Sequence, residues 1–234
     1  MEFTKLCAPT LKELFTVQLE NMILSGKLPI GQKLPPEREL AASMQISRSV
    51  VNAGIVEMAE KGFLEVVPRS GTYVADYRRR GKLETLVSIM KFNGGSLPDS
   101  DIRSILEIRK VLFELALELA IPKIRDSEVE QMCMCARELD SADTPERAAE
   151  LVFEFDHLLC CYSGNTLLPL IFYSFKAPNM TLFERYFRLH GYESMRLRTN
   201  TLCRAIRERD LNAALECITH SINETISGKT TLYN

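Results

Sequence analysis

The sequence predicts a mainly α-helical chain in two parts, three helices closed by a β-hairpin and then an all-helical bundle. Three observations predict it. Apolar residues recur at helical spacing from about residue 11 to 61, the period falls to two between 63 and 74, and helical spacing then resumes without a further strand pattern. The 234 residues, 46% apolar and 26% charged, suffice for two modest cores. That composition excludes disordered and collagen-like chains.

The first helix is predicted over 11–25, with Leu11, Leu14, Phe15, Leu19, Met22 and Ile23 near one face and Gly26 as its stop. The stretch KLPIGQKLPP carries too many glycine and proline breaks to stay helical. Pro36 or Glu37 then opens a short helix, ERELAASM, with acidic residues at its positive end. Gln45 and Ile46 make a turn, and Ser47 is the predicted N-cap of a third helix that Gly62 ends. Residues 63–67 and 72–74 alternate around the turn Pro68-Arg69-Ser70-Gly71, which predicts a hairpin. Two helices joined by a tight turn and followed by a hairpin are the layout of a winged helix-turn-helix.

The charged tract 76–83 reads as a linker, giving domains at 1–75 and 84–234. Helices are predicted at 83–92, 101–121, 127–139, 145–163, 167–189, 193–209 and 211–228. The breaks between them carry Gly94-Gly95, Pro122, Asp143-Thr144, Gly164-Asn165, Gly191 and Asp210. Six or seven helices should pack as a bundle. No apolar run reaches the ~18 residues of a membrane span, and the start lacks a signal-peptide layout. The cytoplasm is the expected compartment, with no membrane partner. The seven cysteines, odd in number and mostly in apolar helical stretches, fit reduced thiols. Cys160-Cys161 and Cys133-Met-Cys135 suit soft-metal or redox sensing, but neighbours at that spacing face different sides of a helix, which favours core packing.

The formal net charge of −2 hides an asymmetry. Residues 1–80 hold eleven Lys/Arg against nine Asp/Glu, and the remainder eighteen against twenty-two. In a helix-turn-helix the recognition helix enters the major groove with small polar or basic side chains at its N-terminal turn. Ser47, Arg48 and Ser49 meet that need. Arg48 can bond a guanine edge or a phosphate, and Asn52, one turn on, carries the donor and acceptor that suit adenine. Arg38 is placed for a phosphate, while Arg69 and Ser70 lie at the hairpin tip. Any one of these alone is an ordinary solvated surface residue; their clustering on the two elements that a winged helix points at DNA is what carries the reading.

The segments GQKLPPERELA at 31–41, Ile46-Ser-Arg48 and GTYV at 71–74 resemble the N-terminal domain of GntR-type bacterial transcriptional regulators over residues 11–74. The resemblance implies operator contacts from Arg38, Ser47, Arg48, Ser49 and Gly71. The chain departs from the pattern at Asn52, where the family usually has Arg, and at Val50, where Pro or Thr is usual.

The second part contains an apolar helix with Arg109 in it. A buried Arg needs either a structural carboxylate or an anionic ligand. His157, His190 and His220 stand in or at the end of other helices, where a satisfied core histidine competes with a ligand role. Glu107-Ile-Arg109 with Glu114, FDHLL at 155–159, GNTLL at 164–168, AIRERD at 205–210 and His220 are similar to the FadR-type sensing domain called FCD, over residues 83–228. Its metal-containing branch implies an Asp and three His around a divalent ion, with an Arg beside it for a carboxylate. Here Phe153 takes the Asp position and Thr199 falls near a His position, leaving His157 and His220, with Asp156 or Glu154 as substitutes. The metal-free, fatty-acyl-responsive branch is the closer analogy, so no cofactor is expected.

The expected function is therefore a ligand-responsive, sequence-specific DNA-binding regulator and not an enzyme. Its expected partners are double-stranded DNA, a second copy of the chain on a near-palindrome, and a small carboxylate or acyl effector near Arg109, His157 and His220. Segment 75–83 would pass the signal on. The alternatives are a metal-dependent hydrolase built on His157 and His220, which predicts bound metal, and a helical interaction scaffold, which predicts no salt-sensitive DNA affinity.

Overall fold

The computed structural model describes residues 8–92 and 98–233, and these divide into two compact units between residues 95 and 96. In the first unit α1 (Leu11–Leu24), α2 (Glu37–Met44) and α3 (Arg48–Glu60) precede the strands β1 (Leu64–Val67) and β2 (Gly71–Val74). Thr10 caps α1 through a reciprocal pair with Glu13, its N–H donating to Glu13 Oε2 at 2.7 Å while its hydroxyl accepts from the Glu13 N–H at 3.2 Å. Gln45 ends α2 in a left-handed conformation, φ 54°, which turns the chain into α3. Ser47 accepts from the Val50 N–H at 3.3 Å as the N-cap of α3. Phe15, Leu19, Val51, Ile55, Met58 and Phe63 form the core.

The strands are antiparallel, with Val67 paired to Gly71 and Leu64 to Val74. A third stretch lies along β2: Leu34 donates its N–H to the Thr72 carbonyl and Gly31 to that of Val74, both at 2.8 Å. The KLPIGQKLPP segment is thereby pinned to the wing.

The region 76–83 differs from its sequence reading. Tyr77–Arg80 forms one helical turn, α4, and α5 (Leu83–Phe92) packs on α1 within the first unit. Buried Glu20 on α1 explains this. Its carboxylate accepts from Lys61 Nζ at 2.9 Å and from Ser88 Oγ of α5 at 3.1 Å, and the Thr85 hydroxyl donates to the Lys61 carbonyl. Residues 76–83 are thus built into the first unit, and the division falls a helix later. The Gly94-Gly95 break lies outside the described residues.

The second unit contains α6 (Asp99–Ala120), α7 (Asp126–Ser141), α8 (Pro145–Tyr162), α9 (Leu168–Ser174), α10 (Lys176–His190), α11 (Glu193–Arg207) and α12 (Leu211–Ser227). α6 packs against α8 and α12, while α8 also holds α7, α9 and α10. The helix expected over 167–189 is broken at Phe175, φ −86° and ψ 15°. Pro178 is the cause, since a continuous helix would need its missing N–H to bond the Ser174 carbonyl. Placed in the first turn of a new helix, it leaves no bond unmade. Elsewhere the helices begin and end within two residues of the expected positions.

Candidate nucleic-acid interface and ligand cavity

In the first unit the candidate residues lie on α2, at the start of α3 and on the wing, and the Asn52–Glu37 bond joins the first two. Arg38, Ser47, Arg48, Ser49, Asn52, Arg69 and Ser70 are exposed and Gly71 half-buried. Ser47 and Ser49 share a hydroxyl bond of 2.8 Å beside the free N–H groups of the first turn of α3. Among the described residues no ion pair engages Arg38, Arg48 or Arg69. Asn52 is committed, its amide donating to Glu37 Oε1 at 3.1 Å. At the wing tip Arg69 has φ 61°, and Ser70 Oγ lies 2.6 Å from Tyr73 Oη. Gly71 has φ 134°, and a β-carbon there would stand 2.7 Å from Lys33 Cε. The arrangement offers two flexible guanidiniums beside a helix N-terminus and a third on the wing, which is chemistry for polyanion backbones and guanine edges.

In the second unit Arg109 is 7% exposed and Asp156 fully buried. Asp156 is shared: Oδ2 accepts from Arg109 Nη2 at 3.5 Å and Oδ1 from Arg198 Nη2 at 2.8 Å. Burial pulls Arg109 down to about 10, Asp156 opposes that, and Arg198 adds to it. The Arg109 guanidinium stacks on Phe183, 4.4 Å from the ring centre, and among the described residues its Nε has no hydrogen-bond partner. Two cations around one carboxylate leave this site with an uncompensated positive charge. Both arginines line a cavity of about 20 Å³, walled mostly by apolar side chains such as Leu106, Leu182 and Ile222, with Ser221 and Thr225 also in the lining.

His157 and His220 do not join Arg109 there. Asp156 takes the core-facing position of α8, so His157 is turned about 100° away. His157 rests among Phe153, Phe172 and Tyr173, with Cys161 Sγ 3.8 Å from Nε2. Burial lowers its pKa below the usual imidazole value, with Lys176 adding to the shift. On α12 the buried face runs through Ala214, Ile218, Ile222 and Thr225, which leaves His220 exposed. The divalent-ion set of the metal-containing branch does not fit. Phe153 is buried against Phe172, the Thr199 hydroxyl donates to the Met195 carbonyl at 2.8 Å, and Asp156 is committed to two arginines. Among the described residues no three His, Cys, Asp or Glu side chains are grouped to hold a metal, and no helix is long and apolar enough to cross a membrane.

The sequence reading missed Arg198 as the partner of the site. Its signal was present, because Arg198 shares the buried face of α11 with Met195, Leu202 and Ile206. Of the cysteines, Cys133, Cys135, Cys160 and Cys203 are buried, as core packing requires, and burial raises the pKa of Cys135, Cys160 and Cys203.

Fold and site together define a helix-turn-helix protein with a winged reader and an all-helical companion domain. Residues 16–74 match the bacterial regulatory proteins of the gntR family and residues 104–224 match the FCD domain, so the chain belongs to the gntR family in its FCD-containing form. It is 31% identical over 161 residues to the HTH-type transcriptional regulator Mce2R of Mycobacterium tuberculosis, covering 68% of this chain and 66% of that one. It is 27% identical over 165 residues to the fatty acid metabolism regulator protein of Shewanella pealeana, 70% and 67% of the two chains. The fold is shared with Lar of Listeria monocytogenes, at a TM-score of 0.65 and 16% identity over 94% of this chain and 96% of that one. The chain thus aligns with about two thirds of the length of these curated relatives, and both are named as regulators, not as enzymes.

Proposed function

We propose that the chain is a sequence-specific DNA-binding transcriptional regulator, acting as a homodimer on a near-palindromic operator and modulated by a small anionic effector. The observation that carries the DNA reading is the N-terminus of α3. Ser47, Arg48 and Ser49 are exposed at the positive helix end, with Arg48 unpaired among the described residues. The family assignment and the regulator names of the relatives support it. Two α3 helices related by a two-fold axis would enter successive major grooves about 34 Å apart. The effector reading rests on the Arg109–Asp156–Arg198 cluster, whose excess positive charge borders a cavity.

The test is selection of an operator from random duplex DNA, followed by fluorescence anisotropy across a salt series. A palindromic consensus and a linear fall of log affinity with log salt are expected. Arg48→Ala should lower operator affinity about fivefold or more, the equivalent of ~1–3 kcal/mol, without changing the melting temperature. Unchanged affinity in Arg48→Ala would remove α3 from the interface.

A further inference from the structure

Helical order in α12 ends at Ser227, and residues 229–233 continue as an irregular strap. Three hydrogen bonds hold it. The Lys229 N–H donates to Glu224 Oε2 at 3.0 Å, the Thr230 N–H to the Glu224 carbonyl at 3.2 Å, and His190 Nε2–H at the end of α10 to the Thr231 carbonyl at 2.9 Å. So pinned, the strap turns Leu232 inward, 2% exposed, into the wall of the cavity that Arg109 and Arg198 line. His190 itself is outside that lining.

The space left, about 20 Å³, holds roughly one water molecule. A ligand larger than water that reaches Arg109 has to displace part of this wall, and of its lining residues Leu232 is the one that lies outside a helix. The strap's seat is also imperfect, since among the described residues the buried Tyr233 hydroxyl has no partner, like Nε of Arg109. Such groups gain a partner only when the arrangement changes.

We propose that residues 229–233 are a displaceable plug. The effector's anionic group meets Arg109 and Arg198, and its aliphatic part takes the place of the Leu232 side chain. The single uncompensated charge calls for a monoanion, and the shape of the plug for a short branched chain. The ligand class is therefore a short branched aliphatic monocarboxylate. This rests on the reading of the cavity as the effector site.

The probe is isovalerate, whose isobutyl group copies the leucine side chain, with isoamyl alcohol as its uncharged analogue. Calorimetry on the full chain should detect isovalerate and not the alcohol, and deuterium uptake across residues 228–233 should rise when isovalerate is bound. Apparent affinity scales with the fraction of molecules whose strap is open. His190→Ala should thus tighten isovalerate binding up to about tenfold without enlarging the cavity, if the closed strap holds about nine molecules in ten. His190→Gln, which can still donate to the Thr231 carbonyl, should return towards the parent value. Leu232→Ala should act in the same direction as His190→Ala. Arg109→Gln should abolish binding in each background, and Asp156 then retains Arg198, so no lone buried charge is created.

Arg109-dependent binding with unchanged or lowered uptake in the strap, and no effect of His190→Ala, would overturn the plug and leave the effector site standing. Absence of isovalerate binding in both the Leu232→Ala and His190→Ala proteins, or binding indifferent to Arg109→Gln, would overturn the plug and the cavity reading together.

Discussion

Asp156 carries the electrostatics of the second unit in one side chain. With both guanidiniums buried against it, Asp156→Asn would leave two cations without a counter-charge. Breaking such a pair costs about 3–5 kcal/mol, so the variant should unfold at clearly lower urea, whereas an exposed exchange such as Glu193→Gln should change little. The neighbouring His157 predicts a pH effect. Its folded pKa is depressed by burial, so around pH 6 the unfolded chain binds more protons at this residue than the folded one. Stability should then rise with pH towards the unfolded value of about 6.5 and fall on acidification. His157→Phe should flatten that slope in denaturation curves measured from pH 5 to 7. Asn179 on α10 is fully buried, and among the described residues neither of its amide atoms has a hydrogen-bond partner. Asn179→Leu should therefore stabilise the protein by about 1–3 kcal/mol, read by the same method. The charged triplet was only half legible in the sequence. Arg109 stood out in its apolar helix, but which of Asp156 and His157 faces it depends on one step of about 100° around α8, and spacing alone could not choose.

Among the elements, α1 and α3 cross in close contact at Gly54. A β-carbon on Gly54 would stand 2.3 Å from Cδ1 of the Phe15 ring, which is itself 2% exposed. Gly54→Ala gains helix propensity of about 1 kcal/mol but overpacks the crossing by about 1–3. Net loss of stability is expected, and a rise in melting temperature would show that Phe15 can move aside. α1, α2, α3 and the hairpin were readable because their boundaries carry signals of their own: Ser47 as a cap, Gly26 and Gly62 with positive φ, and the Arg69 to Gly71 turn, whereas the Thr10 cap of α1 was overlooked. The interruption between α9 and α10 was overlooked although Pro178 announced it, because continuous hydrophobicity from Leu167 to Leu189 masks a missing N–H. One-turn α4 has too little periodicity to be seen against its arginines.

For the whole molecule, the order of a winged reader and a helical bundle was legible, and the place of the division was not. Composition marked 76–83 as polar, but the hydrogen bonds of Thr85 and Ser88 to partners 24 and 68 residues away are long-range. If the two units communicate, linkage fixes the arithmetic. The factor by which isovalerate changes operator affinity must equal the factor by which operator changes isovalerate affinity. Anisotropy with and without isovalerate, set against calorimetry with and without operator, checks this, and unequal factors would point to binding at more than one place. The docking of α5 on α1 also has a practical consequence for where the chain can be cut. A reader fragment ending at residue 82 would strip the cover from Glu20 and discard buried Met90, whereas one ending at residue 92 keeps both. Losing about 1.5 kcal/mol of apolar burial in so small a domain should lower the melting temperature of the shorter fragment by at least about 6 °C.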